Sequence, residues 1–149
     1  MNRSLPACAP KGIRGISLIE VLVSVLILGV GLLGIAAMQS LALRDGQSSL
    51  ESSQAVMQST SIIEAMRGNR ANAASYNTAG LVCTVPSGGG LAGADMAAWI
   101  TSLKATIGNN AATCGRITGC PDACVVTVQW DDSRAGGGAT RSVATRTRI

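Results

Sequence analysis

One apolar run, Val21 to Met38, constrains this chain more than any other feature. Its 18 residues carry no charge and include a single polar side chain, Ser24. As a helix the run would be about 27 Å long, close to the ~30 Å hydrocarbon core of a bilayer. A carboxylate, Glu20, stands directly before it. Because ionisable groups are costly in membrane helices, an acid at this position indicates a functional role.

The residues before the run predict a removable leader. Residues 1–15 contain three basic side chains and no acid, which places them on the cytoplasmic side of a membrane and Arg44 onward outside. A cut between Gly15 and Ile16 would create a positively charged α-amine four residues from Glu20. This pair suits a subunit that is stored in a membrane and then packed into a filament. An ordinary secretory signal is the alternative, but the run is long and no Ala-x-Ala-like exit follows near residues 36–46.

The segment from Gly15 to Val23 (GISLIEVLV) resembles the class III signal of type IV prepilins and type II secretion pseudopilins. That signal is a basic leader ending in Gly, then a hydrophobic residue, Ser or Thr, Leu, an aliphatic residue and Glu. The resemblance implies that a prepilin peptidase cleaves after Gly15 and methylates the Ile16 amine. It also implies that Glu20 supplies the assembly charge pair, that the inner membrane stores the subunit, and that other pilins and minor pilins are its partners.

Two later stretches resemble the PilV-type minor pilins, the type IV pilus modification proteins. They are Ala97-Ala-Trp99 and the segment from Val126 to Asp132 (VTVQWDD). This resemblance implies a minor pilin that enters or primes the filament and so affects twitching motility and adhesion. A minor pseudopilin of type II secretion shares the same N-terminal features. A signal-anchored periplasmic binding protein that never polymerises is the alternative of another class.

The expected fold is α+β and pilin-like, with a long N-terminal helix packed on a small antiparallel sheet and one short extra helix. The leader would be residues 1–15, the transmembrane and filament-core helix 16–43, its amphipathic continuation 44–67, and the periplasmic head 68–149. Apolar residues at near-helical spacing predict the face of the helix that packs on the head. They are Leu43, Leu50, Met57, Ile62, Ile63 and Met66.

The head has three further patterns. Asp95 is expected to cap a short helix with one apolar stripe, formed by Met96, Trp99, Ile100, Leu103 and Ile107. Alternation predicts strands at residues 124–131 and 139–149, joined as a hairpin by residues 131–138. A third strand is expected near residues 81–85, because a strand pair alone is not stable in water.

Five cysteines become four once Cys8 leaves with the leader: Cys83, Cys114, Cys120 and Cys124. An even count in a small outward-facing domain predicts disulfides. Four cysteines allow three connectivities, and pairing Cys83–Cys114 with Cys120–Cys124 is favoured because it keeps the second loop local. A zinc site is disfavoured, since the chain has no His and a C-x3-C pair is poor spacing for a zinc ligand set.

The composition argues against catalysis. Without His there is no Ser-His or Cys-His pair, so no enzyme activity, cofactor or metal site is expected. Asp131 and Asp132 are interpreted as turn acids rather than calcium ligands. The basic cluster near the C-terminus is interpreted as solvated, and nucleic acid is not expected as a partner because no aromatic side chains interleave. Its members are Arg134, Arg141, Arg146 and Arg148.

Overall fold

The computed structural model describes residues 15–149, so the basic leader residues and Cys8 lie outside the described residues. A single helix, α1, runs from Leu18 to Gly68 over 51 residues and passes through Gly46 without a break. The long N-terminal helix is therefore confirmed. The chain divides after Ser40 into two units, and the described part of the first is residues 15–40.

The first unit exposes its apolar side chains all around the helix, from Leu18 to Met38. By length and composition, α1 contains a stretch that is able to cross a membrane. A helix that is hydrophobic on every face needs a non-aqueous environment, either a bilayer or other helices.

The second unit, Leu41–Ile149, holds the rest of α1 and the remaining elements. These are a 3-10 helix Arg70–Tyr76, α2 Gly90–Thr106, β1 Cys114–Thr118, β2 Cys124–Trp130, a 3-10 turn Ser133–Ala135 and β3 Arg141–Thr147. The strands form one antiparallel sheet in the order β1-β2-β3. This is the expected α+β, pilin-like layout, and the hairpin between β2 and β3 is confirmed.

One face of the sheet forms the core. Along β2 the alternate residues Cys124, Val126, Val128 and Trp130 are all buried, as a strand with one covered face requires. Val126 stands opposite Ile117 of β1, which is also fully buried. The same core contains the predicted apolar stripe of α2 and the C-terminal apolar residues of α1, which are Ile62, Ile63 and Met66.

The third strand was predicted at the wrong place. It is β1, residues 114–118, whereas the 81–85 segment contributes only a bridge between Val82 and Gly115. Gly115 and Arg116 conceal the alternation of β1. Gly115 is required because a Cβ there would overlap the ring of Trp99, so close packing against α2 removed the apolar signal.

The expected start of α2 was also wrong. The helix begins at Gly90, and Asp95 lies inside it instead of capping it. The Asp95 carboxylate accepts a hydrogen bond of 2.5 Å from the hydroxyl of Tyr76. Gly93 lies so close to the Gly88 backbone that a Cβ there would overlap it, and this contact fixes the entry to α2.

The inward face of α1 differs from the prediction in its first half. Leu43, Leu50 and Met57 are 77%, 60% and 54% exposed. The head covers small and polar residues instead, including Ala55 and Ser59, which are fully buried. The indole N–H of Trp99, on α2, donates to the carbonyl of Gln58 at 3.0 Å.

Two disulfides staple the head. The structure pairs Cys83 with Cys114 and Cys120 with Cys124, which is the connectivity favoured above. The first joins the loop before α2 to the start of β1, and the second closes the turn between β1 and β2. Small domains with limited cores commonly rely on such cross-links.

Candidate functional site at the start of helix α1

The predicted cleavage junction lies just outside α1. Gly15, Ile16 and Ser17 are non-helical, and the helix begins at Leu18. The carbonyl of Ser17 accepts the backbone N–H groups of Glu20 and Val21 at 3.0 and 3.2 Å, which places Ser17 at the N-cap position. Glu20 is therefore in the first turn, where the helix dipole favours a negative charge.

The junction is open to another protein. Ile16 is 76% exposed, and a Cβ built on Gly15 would meet nothing within 4 Å. The described surroundings therefore do not require glycine at position 15. A glycine that its own fold does not need is consistent with a requirement imposed by a processing enzyme.

Glu20 has no cationic partner in residues 15–149. The four ion pairs of this part of the chain lie elsewhere, in the second unit, and the next charged residue after Glu20 is Arg44. Within residues 15–149, therefore, no side chain neutralises Glu20. The predicted amine of Ile16 is four residues from Glu20 in the same chain. In an assembly, the amine of a neighbouring chain is the other candidate partner.

From the sequence, Ser17 was assigned only to the class III signal and not to a helix cap. Ser17 and Glu20 have the S-x-x-E spacing of a capping box, a local signal for the start of a helix. That signal would have placed the helix start at Leu18. It would also have placed residues 15–17 outside the helix.

A second polar cluster joins α1 to the β2–β3 hairpin. Asp132 is buried, and its Oδ2 accepts from the hydroxyl of Ser48 at 2.9 Å and from the guanidinium of Arg141 at 2.6 Å. Arg141 also donates to Ser48 and lies 5.9 Å from the ring centroid of Trp130. Asp132 lies in the turn as expected, and its side chain is in addition a buried anchor, which the sequence did not predict.

The basic cluster is mostly neutralised within the head. Arg134 is 3.8 Å from the buried carboxylate of Glu51, Arg141 pairs with Asp132, and Arg148 is 3.8 Å from Asp122. Asp131 is partly exposed, and hydrogen bonding by the side chain and then the backbone N–H of Ser133 holds its pKa below the usual value. In the described range no group of three or more His, Cys, Asp or Glu is arranged to hold a metal ion.

Comparison with known proteins gives one match. Residues 10–36 match the prokaryotic N-terminal methylation motif, a span that includes Gly15, Ile16, Glu20 and most of the apolar run. No curated protein and no solved structure matches the chain. The motif implies processing by prepilin peptidase and assembly with other pilins. Together with the single apolar helix and the head fold, it supports a type IV pilin-like protein with a single-pass membrane anchor.

Proposed function

We propose that this chain is a minor pilin of a type IV pilus, a structural subunit without catalytic activity. Prepilin peptidase cuts after Gly15 and methylates Ile16, and the inner membrane holds the subunit with its head in the periplasm. The subunit then enters or primes the filament, and so affects twitching motility and adhesion. The observation that carries the proposal is the coincidence of an exposed Gly-Ile junction, the lone carboxylate of Glu20 and a charge-free helix.

The mechanism rests on the charge of Glu20. In the membrane the carboxylate lies near the interface and keeps its water, but inside a helical bundle it would lose that water. Removing a partnerless charge from water costs several kcal/mol, and a close opposite charge offsets much of this penalty. Methylation leaves the Ile16 amine positive. A docked subunit is therefore stabilised only in the register that brings amine and carboxylate together.

Apolar packing supplies the rest of the assembly energy. The aliphatic side chains of α1 between Val21 and Met38 are all exposed, and no charged residue interrupts them. Burying one such side chain stabilises by about 1.5–3 kcal/mol, but the effect is non-directional. Apolar packing thus provides affinity while the charge pair provides register.

The assignment to a type IV pilus rather than to type II secretion rests on the PilV-type resemblance in the head. Trp99 and Trp130, which carry much of that resemblance, are both core residues. They support a shared head architecture, not a shared binding surface. A minor pseudopilin of type II secretion remains the alternative, and recovery of the protein from sheared pili rather than from secretion machinery separates the two.

The test is Glu20→Gln in the full chain, with Ser24→Ala as the matched control. Glutamine keeps the size of the side chain and removes its charge, so we expect the amount in sheared filaments to fall by about tenfold or more. The membrane-bound pool should stay unchanged in both variants. Filament incorporation of Glu20→Gln at the wild-type level would contradict the mechanism, and it is what a non-polymerising binding protein predicts.

A further inference from the structure

A cavity of about 390 Å³ lies in the second unit, between α1 and the loop that joins β2 to β3. The opposite wall to α1 is the loop itself, with Gly136 and the side chain of Arg141. Small-molecule sites usually occupy about 300–1,000 Å³, so this cavity has the size of a site for a small ligand. The α1 wall is a polar face whose members recur at helical spacing, namely Asp45, Ser48, Ser49 and Ser52.

Arg141 is held in place at one side of the cavity. The carboxylate of Asp132 is buried, and its Oδ2 accepts from Nη1 of Arg141 at 2.6 Å and from the hydroxyl of Ser48 at 2.9 Å. A Cβ at Gly137 would overlap this Oδ2, so the loop backbone packs directly on the carboxylate. The Arg141 side chain is still 43% exposed, and its hydrogen bonds within residues 15–149 all use Nη1. Its donors on Nε and Nη2 are therefore pre-organised for a ligand.

The cavity also has acceptors that the fold does not use. Asp45 is exposed and takes part in none of the four ion pairs of the described residues. Ser49 lies one helical turn further along α1 and is also exposed, and its hydroxyl can donate as well as accept. The lining has two carboxylates, Asp45 and Asp132, against the one guanidinium of Arg141, which leaves it with one net negative charge.

This lining selects the chemical class of the ligand. An anion would meet two carboxylates, and an apolar ligand would meet a single apolar side chain, that of Ala135. A metal ion or an amine would be repelled by Arg141, and the described residues bring no three His, Cys, Asp or Glu side chains together to hold a metal. A neutral hydroxyl group fits, because it can accept from a guanidinium and donate to a carboxylate at the same time.

We propose that the cavity binds a neutral saccharide whose neighbouring hydroxyls bridge Arg141 and Asp45. Arg141 donates through Nε or Nη2 to one sugar oxygen, Asp45 accepts from the next hydroxyl, and Ser49 completes the contact. This binding gives the head a role that filament assembly does not require. Since all the residues of the site belong to the second unit, the inference stands independently of the proposed function.

The test is saturation-transfer NMR on the full chain, solubilised in a detergent without a sugar headgroup, because such a headgroup would compete for the site. The probes are glucose, galactose, mannose and N-acetylglucosamine. We expect saturable transfer to at least one of them with a dissociation constant of about 1 mM, since a few hydrogen bonds in an open site give weak binding. Transfer to N-acetylglucosamine alone would indicate an amino-sugar polymer as the natural source, and transfer to the hexoses a hexose glycan.

Two variants locate the binding in this cavity. Asp45→Ala removes an exposed acceptor, and we expect it to weaken binding by about tenfold or more, the effect of losing one hydrogen bond to a charged group. Glu64→Ala is its matched control, because Glu64 is an exposed acid of the same helix outside the cavity. Ser49→Trp should fill the cavity and abolish transfer, whereas Leu50→Trp, at a position that is 60% exposed and outside the lining, should not.

Urea unfolding of the same samples checks the fold, and all four variants should keep the wild-type midpoint because their positions are exposed. Saturable transfer to none of the four sugars, or wild-type transfer in either cavity variant, would overturn the inference. Calcium binding that is lost in Asp45→Ala would also overturn it, since it would assign the cavity to a cation. None of these outcomes affects the proposed function, which the incorporation of Glu20→Gln tests separately.

Discussion

Two carboxylates in this chain have opposite surroundings. Asp132 is buried and receives hydrogen bonds from Ser48 and Arg141 within its own head. Glu20 is exposed and has no cationic partner in residues 15–149. The partners of the buried acid lie within its own fold, whereas an acid without one at the start of a charge-free helix is available for a contact between molecules.

Tyr76 is the residue whose ionisation reports on the head. It is the only tyrosine in the chain, and it is buried with its hydroxyl donating to Asp95 and accepting from Asn69 at 3.2 Å. Burial, followed by the hydrogen bond to Asp95, raises the pKa of Tyr76 above 10.0. The neutral phenol is therefore favoured in the folded protein. The contribution of Tyr76 to folding stability is fully present below its pKa in the unfolded chain. It is lost as the pH rises through the higher pKa of Tyr76 in the folded protein.

We predict that Asp95→Asn lowers the pKa of Tyr76, because it removes both the charged acceptor and the nearby negative charge. Tyrosinate absorbance, followed during an alkaline titration of the detergent-solubilised protein, measures this pKa directly. Asp131→Asn, a change at a partly exposed acid of the hairpin loop, should leave the pKa of Tyr76 unchanged. Equal tyrosinate titrations for the wild type and Asp95→Asn would show that the 2.5 Å contact has no energetic role.

At the scale of elements, α2 packs on β1 through a glycine. A Cβ at Gly115 would overlap the ring of Trp99 and reach 3.0 Å from Cδ1 of Ile100. Trp99 cannot retreat easily, since it is buried and its indole N–H is bonded to the carbonyl of Gln58. The close approach of helix and strand therefore depends on the missing side chain.

We predict that Gly115→Ala lowers the free energy of unfolding of the head by about 1–3 kcal/mol, the usual cost of overpacking a core. Urea unfolding of the detergent-solubilised protein, followed by tryptophan fluorescence, measures the change. Gly80→Ala is the control, because a Cβ at Gly80 meets nothing within 4 Å. A Gly115→Ala protein as stable as the control would mean that α2 can shift away from the sheet without loss.

Element prediction from the sequence succeeded where the signal was local. The apolar run and the regular spacing that follows it predict α1, and strict alternation predicts β2. The alternation of β1 was missed because position 115 must be glycine to leave room for the ring of Trp99, which lies sixteen positions earlier in the chain. The prediction of the inward face of α1 was wrong for Leu43, Leu50 and Met57. The face that packs on the head there carries small residues, Ala55 and Ser59, which are buried.

At the scale of the whole molecule, the candidate site was likewise predictable from the sequence only where its residues are close together in the chain. Gly15, Ile16 and Glu20 could be identified from the sequence because they stand at fixed spacing within six residues. The anchor at Asp132 could not, since Ser48 is 84 positions away and only the folded chain brings them together. The exposure of Leu43, Leu50 and Met57 needed the structure as well, because only burial separates a core stripe from an exposed one.

The two units carry different parts of the proposed role. The first presents an uncharged helix and a lone acid, which would provide apolar packing and register in a bundle of subunits. The second is a disulfide-stapled head whose own ion pairs use three of its four C-terminal arginines.

The proposed assembly mechanism requires a cut after Gly15, which creates the cation that Glu20 lacks. Mass spectrometry of the N-terminal peptide, on protein purified from cells that assemble the filament, tests it most directly. We predict that the purified protein starts at Ile16 and that the Ile16 amine carries a methyl group. A protein that still begins at Met1, or one cut near residues 36–46, would contradict it.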